Sequence, residues 1–209
     1  MAWLRVGVRG LVQLVVSCVV LGVGVTLLLL PALGSDGYST LVNGIAISSG
    51  IPFVVVNCVL GAVLVGVAWV RGLRPGVGTL VQPVVVGFTI SGLLWIIPEP
   101  ESLVARALLL LAAFPVLALG VAGYLGTGLG AGPTEAAALA WDPPVPFRWS
   151  YSLVQAVGAL VGWFLGAAIG PGTLAVIVLL GPMVDALSRW IPALDVHARS
   201  RSAALDDGS

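Results

Sequence analysis

The chain has 209 residues, 59% hydrophobic and only 9% charged, with nine arginines, no lysine and nine acidic residues for a net charge of zero. Its mean hydropathy is +1.12, whereas soluble domains carry about 25% charged residues. A single water-soluble core is excluded, the bilayer has to act as solvent, and no basic surface points to nucleic acid.

A helix needs about 20 apolar residues to cross a hydrocarbon core about 30 Å thick. The first such run follows Arg5 and Arg9 and covers residues 11–30. It exceeds the apolar region of a signal peptide, about 7–15 residues, so it reads as a retained helix. Residues 35–49 are mixed and hold Asp36, Tyr38 and Asn43; Ser35 or Asp36 suits the cap of a short helix there. The second span covers 51–70 and is closed by Arg71 and Arg74. The third covers 77–97 and stops at Pro98-Glu99-Pro100, and the fourth covers 103–125. A Gly- and Pro-rich stretch, 126–147, follows. Within it, 133–142 reads as a second short helix, with Pro133 at its first position and Glu135 in its first turn, near the positive end of the dipole. Both short helices are too short to span, and each is interfacial or re-entrant. The fifth span covers 149–169 and the sixth 173–191. The tail, 192–209, is polar, carries the lone histidine, His197, and is expected to be disordered.

Six spans place Arg5, Arg9, Arg71, Arg74, Arg148, Arg189, Arg199 and Arg201 on one side and Arg106 on the other. By the positive-inside rule that side is cytoplasmic. The expectation is a multi-pass protein of the inner (cytoplasmic) membrane with both termini inside.

The chain also repeats itself. Residues 21–34 match 117–130 at six of fourteen positions, including Gly24 with Gly120 and Gly34 with Gly130. Residues 76–91 match 170–185 at six of sixteen, including the shared Gly-x-Gly-Thr-Leu. The two blocks lie in the same order, 42 and 40 residues apart. Each unit holds three spans, an odd number, so the second must enter from the opposite face. The expected fold is therefore all-α: one membrane domain, 1–191, of six transmembrane helices in two inverted repeats, about 1–98 and 99–191. The turns at Gly78 and Gly172 fall on opposite faces.

The runs RPGVGT, GLGAGPTEA, VGWFLGAAIGPGT and GPMVDAL resemble the YczE/YitT-like family of bacterial integral membrane proteins. The resemblance covers about residues 21–189, and its second-half motifs are the specific part. It implies a multi-span membrane protein and little about chemistry, the family's activity being unassigned. The chain departs from the pattern where Pro-Trp is expected near Gly37-Tyr38 and where an acidic residue is expected at Gln155. The second departure counts against a shared proton- or ion-coupled role.

Ionisable residues inside a membrane invite a functional question. Asp185 lies two-thirds along the sixth span with Arg189 four residues on, the spacing of a helical ion pair. Asn57, Gln82 and Gln155 suit hydrogen bonds between helices, worth about 0.6 kcal/mol on average. With Glu135 and Asp185 they are the candidates for lining a pathway. Gly158, Gly162, Gly166 and Gly170 recur every four residues and form a ridge admitting a close neighbour. Cys58, Ala62 and Gly66 form a weaker ridge, so Gly66 and Gly162 are expected where the second and fifth spans cross. Cys18 and Cys58 read as small buried hydrophobes. Intramembrane histidine, phosphate-binding loops and paired carboxylates at usable spacing are lacking, so catalysis, a cofactor and a metal are not expected. Two functions remain. One is a small transporter or channel for a neutral or weakly charged solute. The other is a non-transporting subunit or assembly partner of a larger complex. Expected partners are the lipid bilayer, a small-molecule solute, and a second copy or another membrane protein.

Overall fold

The computed structural model describes residues 7–191; the tail expected to be disordered lies outside them. The described residues are all helix and loop. In order they form α1 (Val8–Leu29), α2 (Gly37–Ser49), α3 (Phe53–Val70), α4 (Val77–Ile96), α5 (Leu103–Leu125), α6 (Pro133–Leu139) and α7 (Phe147–Phe164). The last, α8 (Pro171–Trp190), contains one wide π-helical segment, Val176–Leu180. That segment precedes Pro182, which lacks an N–H and crowds the preceding turn of a regular helix.

Among the described residues four helices are long and apolar enough to cross a membrane: α1, α4, α5 and α8. The apolar part of α3, Val55–Val70, is shorter, and α7 interrupts its apolar run with Ser150, Ser152 and Gln155. The expected fifth span overshoots: α7 ends at Phe164, not 169. Gly166 takes φ +99° and its N–H closes on the Trp163 carbonyl, a left-handed stop that favours glycine. α3 ends in the same way at Gly72, φ +95°, whose N–H bonds Trp69.

α1 and α5 form the centre. α1 turns a stripe of Leu14, Cys18, Leu21 and Leu28 inward, the three-to-four spacing of one helix face. Lipid is as apolar as leucine, so close packing has to hold such helices together. Two glycines provide it. A Cβ on Gly24 would sit 2.8 Å from the Leu117 nitrogen, and one on Gly120 would sit 2.6 Å from the Leu21 nitrogen. Each backbone lies directly on the other.

Other contacts also come in pairs. The Gly78 N–H bonds the Leu129 carbonyl at 2.8 Å, and the Gly172 N–H bonds the Leu33 carbonyl at 2.8 Å. Gly34, φ +122°, packs on Thr173; Gly130, φ +125°, packs on Thr79. α2 lies along α7 and α6 lies along α3. One pairing is unequal: α7 packs along α8, whereas α3 has almost no packing on α4.

The glycine ridge of α7 is real but shorter than expected, and its partner differs. Gly158 and Gly162 face the α2 backbone at Gly37 and Thr40. Gly166 and Gly170 lie beyond the helix end. Gly66 does not meet Gly162 at all, because a Cβ there would have open space for 4 Å. The intervening α2 and α6 take the places that sequence spacing assigns to a direct α3–α7 crossing. Cys18 is buried as expected, but Cys58 is exposed; both are free thiols.

Candidate functional site

The two short helices start deep in the structure. Asp36 caps α2, its Oδ2 accepting the Ser39 N–H at 3.0 Å. The next residue, Gly37, lies on the backbone of Gln155, midway along α7. α6 starts at Pro133, 3.3 Å from a Cβ built on Gly61, midway along α3. The Tyr38 hydroxyl is also 3.3 Å from that point, so the N-terminal turns of α2 and α6 converge. From there α2 runs toward the C-terminal end of α7, where Gly166 packs on Ile47. α6 runs toward the C-terminal end of α3, where the Arg71 Nε donates to the Ala140 carbonyl at 3.2 Å. Each is a half-helix whose N-terminus, the positive end of its dipole, points at the middle of the protein.

Polar side chains gather around this meeting point. Gln155 is 1% exposed yet fully engaged: its Oε1 accepts the Tyr38 N–H at 3.2 Å and its Nε2 donates to the Tyr151 hydroxyl at 2.9 Å. Buried amides are tolerated only when paired in this way. The Tyr38 hydroxyl donates to the Asn57 carbonyl at 3.0 Å. Glu135 is 6% exposed, and its carboxylate lies beside Tyr124. Tyr124 in turn accepts the Gly132 N–H at 3.1 Å. The Gln82 Oε1 and a Glu135 carboxylate oxygen both lie against Gly132, 2.8 and 2.9 Å from where a Cβ would be. A Cβ here would displace at least one of them.

Four of the five candidate pathway residues are therefore brought together. Gln82, Glu135 and Gln155 contribute side chains, and Asn57 contributes its backbone carbonyl. Asp185 is elsewhere. It bonds Arg189 at 2.9 Å, the helical pair expected from spacing, and also faces Arg148 of α7 at 3.7 Å. The sequence did not single out Tyr38, Tyr124 or Tyr151 for this cluster. Only Tyr151 carried a signal, one turn before Gln155. The arrangement offers hydroxyls, amides and two carboxylates, Asp36 and Glu135, close enough to feel each other's charge. Such a set can hydrogen-bond a small polar molecule inside an apolar shell. Among the described residues no group of histidine, cysteine and acidic side chains has the arrangement of a metal site.

A family model described as a family of unknown function, DUF6198, matches residues 8–189. An uncharacterized protein of Haemophilus influenzae is 28% identical over 170 residues, covering 79% of this chain and 77% of that protein. The uncharacterized membrane protein YczE of Bacillus subtilis is 24% identical over 158 residues, 71% of each chain. No solved structure matches.

Proposed function

Because the chain belongs to DUF6198, a family of unknown function, its role has to come from its architecture, and we propose a small inner-membrane transporter or channel for a neutral or weakly charged solute. In this reading α1, α3, α4, α5, α7 and α8 all cross, the halves 1–98 and 99–191 are inverted, and both termini are cytoplasmic. The solute passes between the halves, at the half-helix ends. The observation that carries it is the convergence of α2 and α6, N-terminus to N-terminus, at the midpoints of α7 and α3. Half-helices interrupting at mid-depth mark the binding sites of transporters built from inverted repeats. Irregular backbone at that depth is tolerated only where protein or water covers it. The matching contacts of Gly24 on Leu117 and Gly120 on Leu21, and of Gly78 with Leu129 and Gly172 with Leu33, are in keeping with two copies related by a two-fold axis.

Two experiments test this. A fluorescent protein fused after Ser209, of a kind that matures only in the cytoplasm, should be bright; a dark fusion with an active periplasmic reporter at the same site would sink the six-crossing topology. For transport, the purified protein is melted in the presence of a panel of sugars, polyols and amino acids. A solute at 100 times its Kd should add about 2.7 kcal/mol of stability. Stabilising solutes should then enter proteoliposomes, and Glu135→Gln should lose both responses while keeping its unliganded melting temperature. Vesicles that take up none of the panel faster than protein-free vesicles overturn the proposal.

A further inference from the structure

One cavity lies outside the half-helix cluster. It is a half-open hollow of about 310 Å³ lined by the turn after α3, the end of α5 and the C-terminus of α6. That is the small end of the range for metabolite sites.

Its chemistry is cationic. Arg71, Arg74 and Asp142 line it, two guanidiniums against one carboxylate, a net charge of one positive. Asp142 is tied to the start of α7, its Oδ2 accepting the Phe147 N–H at 3.1 Å. Arg74 takes no part in the Arg148–Asp185 and Arg189–Asp185 ion pairs. Arg71 is held in place from two directions. Its Nε donates to the Ala140 carbonyl at 3.2 Å, and its guanidinium lies 4.3 Å from the centre of the Trp141 ring. One nitrogen of the fork thus closes the end of α6, leaving the terminal nitrogens to a ligand. A guanidinium fixed before binding loses little entropy on binding, and its planar fork fits a carboxylate or phosphate bidentately. The inner wall is Gly130 and Ala131, adjoining Gly132, over which Gln82 and Glu135 meet.

We infer that this cavity binds one anionic group, a phosphate or carboxylate, between Arg71 and Arg74. The group has two sources, a free small anion or the headgroup of an anionic lipid, and the experiment separates them. The inference is independent of transport: binding is read in detergent, so vesicles without flux would defeat the transport proposal and leave this one standing.

The purified protein, in a non-ionic detergent at low salt, is titrated with inorganic phosphate or with short-chain phosphatidylglycerol. Thermal midpoint and tryptophan fluorescence are followed against sodium chloride of equal ionic strength. At least one probe should raise the midpoint saturably and change the emission of Trp141, a change absent in Trp141→Phe. A response to phosphate identifies a free anion as sufficient; a response to the lipid alone identifies the headgroup. Arg74→Gln should weaken that binding by about tenfold or more, the loss expected for hydrogen bonds to a charged group. Its unliganded midpoint should stay at the wild-type value, since Arg74 takes part in neither of the Asp185 ion pairs. Arg189→Gln, which removes an exposed arginine of the Asp185 cluster, should bind as wild type. No saturable response to either probe beyond chloride overturns the inference, as does wild-type binding by Arg74→Gln or equal weakening by Arg189→Gln.

Discussion

Gly162→Leu should remove folded protein from the membrane, while Gly66→Leu should be nearly silent. A Cβ on Gly162 would collide with the Thr40 carbonyl oxygen and lie 2.6 Å from its carbon and 2.8 Å from the Leu41 nitrogen. Those atoms are helical backbone and cannot rotate away as a side-chain tip can. On the facing helix, a Cβ on Gly44 would collide with the Gly162 carbonyl in return. Leucine therefore has to push α2 off α7, and α2 carries Tyr38, whose N–H holds Gln155. Overpacking a tight contact costs about 1–3 kcal/mol and more where backbone has to move, against a total stability of about 5–15 kcal/mol. Gly66 has the opposite surroundings, with nothing within 4 Å of its Cβ position. Yield of monodisperse protein and its thermal midpoint, measured for both variants, check this. Equal behaviour of the two would show that α2 does not lie on the α7 glycines.

Gly24→Leu and Gly120→Leu should be severe and should resemble each other. Each glycine abuts the backbone of the other's helix, at Leu117 and Leu21 respectively. Each substitution separates α1 from α5 at the most buried crossing of the molecule, where Ala118, Val121 and Ala122 are all within 1% of full burial. The expected loss is about 3 kcal/mol or more for each. The double variant should cost less than the sum of the two, because sites that share one contact are coupled. Denaturant or thermal unfolding in detergent reads this directly. Strict additivity would mean that the two glycines do not serve one crossing.

Some of this structure was legible in the sequence for clear physical reasons. α4 and α5 fall within one residue of their expected limits, because Gly76 and the Pro98-Glu99-Pro100 run interrupt apolar segments sharply. The capping role of Asp36 and the start of α6 at Pro133 were readable from residue type alone. The end of α7 was not: hydropathy continues past Gly166 into Leu165–Ile169 character, and only the backbone angle shows the stop. Glycine spacing announced close approach at Gly158 and Gly162 but carried no information about which helix approaches. The site was half legible. Polar residues in apolar runs pointed to Gln82, Glu135 and Gln155. Of their tyrosine partners only Tyr151, one turn before Gln155, carried a local mark, and only folding brings Tyr124 to Glu135.

The unequal helix lengths bear on the surrounding lipid. At a rise of 1.5 Å per residue, the 22 residues of α1 and 23 of α5 reach about 33–35 Å, whereas the 18 residues each of α3 and α7 reach about 27 Å. A hydrocarbon layer about 30 Å thick is too thin for the first pair and too thick for the second. If α3 and α7 cross as proposed, tilt absorbs the excess of the long helices and acyl chains beside the short ones have to compress. In the proposed six-crossing arrangement the bilayer would thus be dimpled on the two flanks where the half-helices lie behind α3 and α7, and acyl-chain length would set the elastic load on those flanks.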